Sequence, residues 1–169
     1  GIYAKVIGAS KSLYSPSTTS ALTANSGSAN MYNSTDPSAT VLTVGQAPHV
    51  NANGEDIIAY CFTSVEGYSK VFQYIGNGSA DGPFVHCGFR PRFILYKAHS
   101  QSEHWHIRDT ARETVNTTQN RLLPSSNIAE SGDADFKIDM LSNGFKLRAS
   151  NGTQNGQNHQ YLVLAIAEN

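Results

Sequence analysis

His104 and His106 stand one residue apart around Trp105, in a His-x-His arrangement. On a strand that spacing puts both imidazoles on one face, as in some metal sites that draw two ligands from one strand. No third ligand follows nearby in sequence, and Glu103 or His99 would have to approach. The pair therefore reads as solvent-facing, no metal is expected, and both histidines are kept as ligand-contacting candidates. Asp109 and Arg112, with Lys97 from the preceding strand, form a second cluster, which fits a loop-anchoring ion-pair network on one rim better than an acid–base pair. Sugar binding asks for an exposed aromatic ring flanked by amides that orient hydroxyls. Tyr32, between Asn30 and Asn33, meets that description, so Tyr32 and Asn33 complete the candidate set; Tyr14 also lies in polar surroundings. Trp105 is the only tryptophan, and its shared strand face with Ile107 reads as core.

Other chemistries find no purchase. There is no nucleophile elbow around a serine and no phosphate-binding loop. Asp133-Ala134-Asp135 has the first spacing of a calcium loop without the rest of the pattern. Carboxylates are scattered from Glu55 to Glu168, but the separation that glycoside cleavage requires is not legible from spacing. No catalytic residue and no cofactor is therefore assigned.

Composition narrows the partners. Charged residues make up 15 % of the 169, and the net charge is −1, against about 25 % charged in an average domain. Nucleic acid and acidic membranes gain no electrostatic attraction from such a surface. Asn, Ser, Thr, Gln and Gly carry the polarity instead, which suits a crowded protein assembly or neutral sugars. Cys61 and Cys87 are too few for a disulfide framework and sit in apolar runs, where they read as small buried hydrophobes. No apolar run is long enough to span a membrane, and no secretion signal is visible. The opening Gly1-Ile2-Tyr3 is abrupt and reads as that of a fragment.

The elements that must position these residues are strands. Gly67 to Pro91 alternates like a strand, breaks in the turn Gly76 to Gly82, and resumes after Pro83, the pattern of a β-hairpin. Its alternation sends Val71 one way and Phe72 and Tyr74 the other. Further strands are expected at Gly1 to Ile7, Asn30 to Asn33, Thr40 to Gly45, Arg92 to His99, His104 to Arg108, Arg121 to Leu123, Phe136 to Leu141, Gly144 to Leu147 and Gln160 to Ala167. Asp56 to Phe62 is apolar on both faces and reads as a strand covered on both sides. Thr110 to Asn120 carries too many β-branched residues for a helix and is expected to be an irregular loop. Short strands with regular turn signals and no long 3.6-residue period define an all-β chain, an antiparallel β-sandwich of jelly-roll-like form.

Two pairs of segments recur in the same order. Leu13 to Ala21 resembles Leu122 to Ala129, and Asn53-Gly54 leading into Ile57 to Phe62 resembles Asn155-Gly156 leading into Tyr161 to Ala167. The Gly67 hairpin has no counterpart earlier in the chain. Residues 67–169 thus read as one complete repeat unit and residues 1–66 as the tail of an earlier copy, the two packing into one compact domain or completed by another chain.

Gly67-Tyr68-Ser69-Lys70, Tyr74 to Val85, Gly88-Phe89-Arg90-Pro91 and Leu141 to Arg148 resemble a repeat module found in tail-fibre and other virion structural proteins of tailed bacteriophages. The resemblance covers most of residues 51–169 and more loosely 10–50; Phe93 stands where such modules are expected to carry Trp. It implies a non-enzymatic, β-rich protein at the virion surface that helps attach the particle to a host receptor or glycan. It also implies a homo-oligomer, with a trimer favoured, in contact with other virion proteins. A decoration or assembly subunit that binds no receptor and a polysaccharide-depolymerising tailspike domain are the alternatives.

Overall fold

The computed structural model describes residues 1–13, 22–23 and 31–168. Two antiparallel sheets dominate. The larger contains β3 (Ser69–Ile75), β11 (Gln160–Ala167), β5 (Pro91–Ala98) and β6 (His106–Asp109), side by side in that order. The smaller contains β4 (Phe84–His86), β10 (Gly144–Leu147) and β9 (Ile138–Leu141). Two short ribbons, β1 (Lys11–Ser12) with β2 (Leu22–Thr23) and β7 (Asn120–Arg121) with β8 (Ser131–Gly132), complete the strands. The chain is an all-β antiparallel sandwich.

Alternation makes the core. From β5, Ile94, Tyr96 and Ala98 point between the sheets; from β11, Tyr161, Val163 and Ala165 do; Val85, Met140, Phe145 and Leu147 meet them from the smaller sheet. Tyr161 pairs with Tyr74 across the strands and the rings stack, centroids 4.7 Å apart, while Phe145 meets Tyr74 edge-on at 6.0 Å. Burying each such ring removes 150 Å2 or more from water, on the order of several kcal/mol. The opposite face of the larger sheet, with Leu95, Leu162 and Val71, is covered in part by Ile2, Ala4, Ile7 and Leu13 of the N-terminal segment and by Trp105. β11 thus has buried residues on both faces, the signature of a central strand.

The segment from Gly67 to Pro91 is not a hairpin. β3 pairs with β11 and β4 with β10, so the glycine-rich turn carries the chain from one sheet to the other. Buried Asn155 holds that turn: its Oδ1 accepts from the Asn77 N–H at 2.9 Å, and its Nδ2 donates to the Ser79 and Ala149 carbonyls at 2.7 and 3.0 Å. Gly76 is required there, because a Cβ would overlap the Gly156 carbonyl oxygen. A turn built around a third segment has no reason to bring its own flanks together.

Other expectations also change. Residues 1–7 form no strand: Ile2 makes one bridge to Leu13, and Lys5–Ile7 is a 3-10 turn. Met31 to Asn33 and residues 40–45 are irregular. The expected strand at Arg121 to Leu123 starts one residue earlier and ends as a bridge from Leu122 to Ile107, and a 3-10 turn, Ala134–Phe136, precedes β9. β5, β10, β11 and the irregular course of 110–119 follow the sequence pattern. In the recurring segments, residues 56–62 carry no strand whereas 161–167 lie within β11; of Leu13 to Ala21 only Leu13 lies within the described residues, and Tyr14 also falls outside them.

Candidate functional site

His106 opens β6 and pairs with Tyr96 of β5, and its alternation turns it inward. Its ring stacks on Tyr96 at 5.0 Å and lies 6.5 Å from Phe136. Both ring nitrogens are buried without a hydrogen-bond partner. Burial, reinforced by Arg108, Arg121, His104 and Lys97, pushes its pKa down to about 2, so the imidazole is neutral. The expectation of a solvent-facing pair fails for His106, because β5 and β6 pack that face against the smaller sheet. His104 lies before β6, half-buried, with Nδ1 3.0 Å from the Ser125 hydroxyl. No group of three metal-ligating side chains occurs among the described residues.

Tyr32 is also buried, packed with Met31 and Ala47 and edge-on to Tyr3 at 5.6 Å, so it offers no ring to a sugar. An apolar neighbour on each side of the fold outweighs the polar residues next to it in sequence. Asn33 is exposed, in a left-handed conformation with φ of 51°, and its carbonyl accepts from the Thr35 hydroxyl at 2.9 Å. The two residues are adjacent but do not form a joint ligand face. Trp105 is 3 % exposed and belongs to the core over the larger sheet.

Asp109, Arg112 and Glu130 form a surface ion-pair network, but Lys97 is not part of it. Lys97 is buried, and its ammonium donates to the Glu103 carbonyl oxygen. Desolvation brings its pKa down to about 8 despite the opposing charge of Glu103. Other carboxylates are taken up by cations or backbone donors: Asp139 by Arg148, Asp81 by Lys146, and Glu113 by the N–H groups of Gln119 and Asn120 at 2.9 and 2.8 Å. Asp133 caps the turn before β9 through the Asp135 N–H at 2.7 Å.

Sequence reasoning missed the polar centre of the sandwich. Arg108, fully buried on β6, donates to the carbonyls of Asn120 and Phe136 at 2.8 and 2.7 Å and to Gln154 Oε1 at 3.3 Å. Gln154 Oε1 also receives the Tyr96 hydroxyl at 3.3 Å, and the Gln154 carbonyl receives the Tyr74 hydroxyl at 2.7 Å. Gln154 and Asn155 belong to the second of two single helical turns, α2 (Gly152–Asn155), the first being α1 (Pro48–Asn51); α2 is capped by the Asn151 side chain at 2.9 Å from the Thr153 N–H. The one sequence signal was Asn151 placed two residues before Thr153 as an N-cap. This network is closed to solvent, and its geometry is that of a brace between α2, β5, β6 and the 110–137 loop.

What stands open lies elsewhere. Residues 56–62 form an irregular strap whose backbone N–H and C=O groups make no hydrogen bond among the described residues. Ile58, Tyr60 and Phe62 are 77, 81 and 62 % exposed. Cys61 on the same strap is exposed, whereas Cys87 is buried and its thiol is pushed up to about 11 by desolvation. The strap borders a groove of about 1290 Å3 over the outer face of the larger sheet, floored by Val71, Leu95, Trp105, Leu162 and Leu164. Val41, Leu42 and Val44 form another wall. The strand expected here, covered on both sides, is instead uncovered.

No helix among the described residues is long and apolar enough to cross a membrane. No curated protein and no solved structure matches the chain. A family model matches over residues 2–169, which takes in the sandwich, the strap and the groove together: the chain belongs to the family described as Domain of unknown function (DUF7483).

Proposed function

We propose that this chain is a non-enzymatic structural and adhesive module of a virion, of the tail-fibre type, which contributes to host-surface attachment by surface contact. The observation that carries the reading is the contrast between a closed interior and an open apolar face. His106, Arg108, Tyr96 and Gln154 are used up inside the sandwich, while the face from Val41 to Phe62 presents large side chains to solvent. Such a face suits contact with another macromolecule. The resemblance of Tyr74 to Val85 and Leu141 to Arg148 to phage virion modules supplies the setting: the particle surface, other virion proteins and a homo-oligomer with a trimer favoured.

A second reading, an assembly subunit that binds no receptor, is favoured by the apolar character of the strap, since glycans need polar partners beside their aromatic platform. A glycan array run with a solution mass measurement separates the two. Specific glycan binding supports the adhesive role, and assembly without binding supports the second. Release of reducing ends from host polysaccharide would overturn the non-enzymatic reading.

A further inference from the structure

Residues 56–62 combine three properties rarely found together in a surface segment. They are apolar on both faces, as a strand buried on both sides would be. Their backbone groups make no hydrogen bond among the described residues, which leaves an edge open to strand addition. They also border a groove with an apolar floor, already formed and wide. At about 1290 Å3 that groove exceeds the roughly 300–1,000 Å3 of small-molecule sites, and its largely apolar lining suits a peptide segment with apolar side chains.

We infer that the occupant is a second copy of this chain, the strap of one copy seated in the groove of the next. Exposure is the first argument. Eight large apolar side chains that line the groove, from Val6 and Val41 to Phe62, are each more than a third exposed, and a clustered apolar face of that kind marks a contact with another macromolecule. Self-complementarity is the second. One surface holds both an extended apolar segment and the groove that such a segment fits, so identical copies satisfy each other in a closed pair or ring. Charge is the third: residues 57–65 carry no charged side chain and the net charge is −1, so like copies do not repel. The chain's own residues 14–30, rich in Ser, Thr and Asn, do not have the chemistry of the floor.

The inference rests on the contact-module reading for the use of this face but not for its setting on a virion. The test combines light scattering with alkylation of the native Cys61. Across a dilution series, the intact protein is expected to pass from a multiple of the single-chain mass to the single-chain mass. The Cys61 alkylation rate should rise several-fold over the same range. Ile58→Asp with Tyr60→Asp is expected to give a single-chain mass at all concentrations, with an unchanged circular dichroism spectrum, because neither side chain belongs to the core. A single-chain mass for the unmutated protein at every concentration, with constant Cys61 reactivity, would overturn the inference, as would assembly that survives the double substitution. A single-chain protein that still binds a glycan sinks this inference and leaves the adhesive reading standing.

Discussion

The guanidinium of Arg108 donates to the side-chain carbonyl of Gln154 over 3.3 Å at the centre of the sandwich, with neither residue exposed. The acceptors of this buried cation are neutral oxygens, and one of them also serves the Tyr96 hydroxyl. A buried cation held by carbonyls alone depends on all of them, because each lost acceptor leaves a desolvated donor unpaired.

Gln154→Ala removes the acceptor that Tyr96 and Arg108 share. The expected cost is about 2–4 kcal/mol, since two buried donors lose a partner and one of them is charged. Tyr96→Phe removes one neutral donor and keeps the ring stacked on His106, so it should cost about 1 kcal/mol. Chemical denaturation of both variants checks the order; equal losses would mean that Gln154 acts only by filling space.

His106 predicts an acid-side slope. Its folded pKa of about 2 lies below the ordinary value of 6.5, so between those values the unfolded chain binds a proton that the folded one does not. Stability therefore rises with pH through that window and falls on acidification, by about 1.4 kcal/mol per unit for this group. His106→Phe keeps a ring between Tyr96 and Phe136 and has no proton to bind. Urea denaturation at pH 6.5 and pH 5 should show the unmutated protein losing about 2 kcal/mol more than the variant. His99, also buried and held below its ordinary value, leaves a residual slope in both.

Lys97 predicts the opposite end. Its folded pKa, about 8, is below the ordinary 10.5, so from pH 8 upward the folded protein sheds a proton that the unfolded chain keeps, and stability rises. Above about pH 9 the gain is opposed by Cys87, and above about pH 10 by Tyr74 and Tyr161 as well, because burial keeps these groups protonated in the fold after the unfolded chain has lost those protons. Lys97→Met should abolish the rise between pH 8 and 9, read by thermal melts across that range.

Cys87 should be silent to alkylating reagents in the native protein at neutral pH and react on unfolding, because it is buried and its thiol stays protonated. Mass spectrometry of labelled peptides with and without guanidinium chloride checks this. Native labelling at Cys87 would mean that the smaller sheet opens locally.

The strands that build the larger sheet were legible wherever alternation and burial agree: β5 and β11 lie where Phe93 to Ala98 and Tyr161 to Ala167 say they should. The hairpin was not, because alternation reports that a segment is a strand and says nothing of its partner. Tyr32 and His106 were misplaced for a related reason: neighbours in sequence described their setting less well than Tyr3 and Tyr96, which reach them through the fold. Gln154 and Asn155 had no signal beyond the Asn151 cap of their turn, since two amides in a polar stretch look like any loop. Residues 56–62 carried the right composition for a buried strand, and the described residues of one copy do not bury it.

β11 follows every other strand of both main sheets, yet it lies between β3 and β5. Tyr74 must therefore wait for Tyr161 before its ring is covered; β5 can pair with β6 as soon as both are made, but β3 has no partner strand until β11 has been synthesised. Long-range pairing of this kind slows folding and leaves apolar edges open meanwhile. During translation this chain is expected to emerge with every strand of the smaller sheet made and the larger sheet split into β3 and the β5–β6 pair, which β11 joins in one cooperative step, so the cell's capacity to shield nascent chains becomes a determinant of yield.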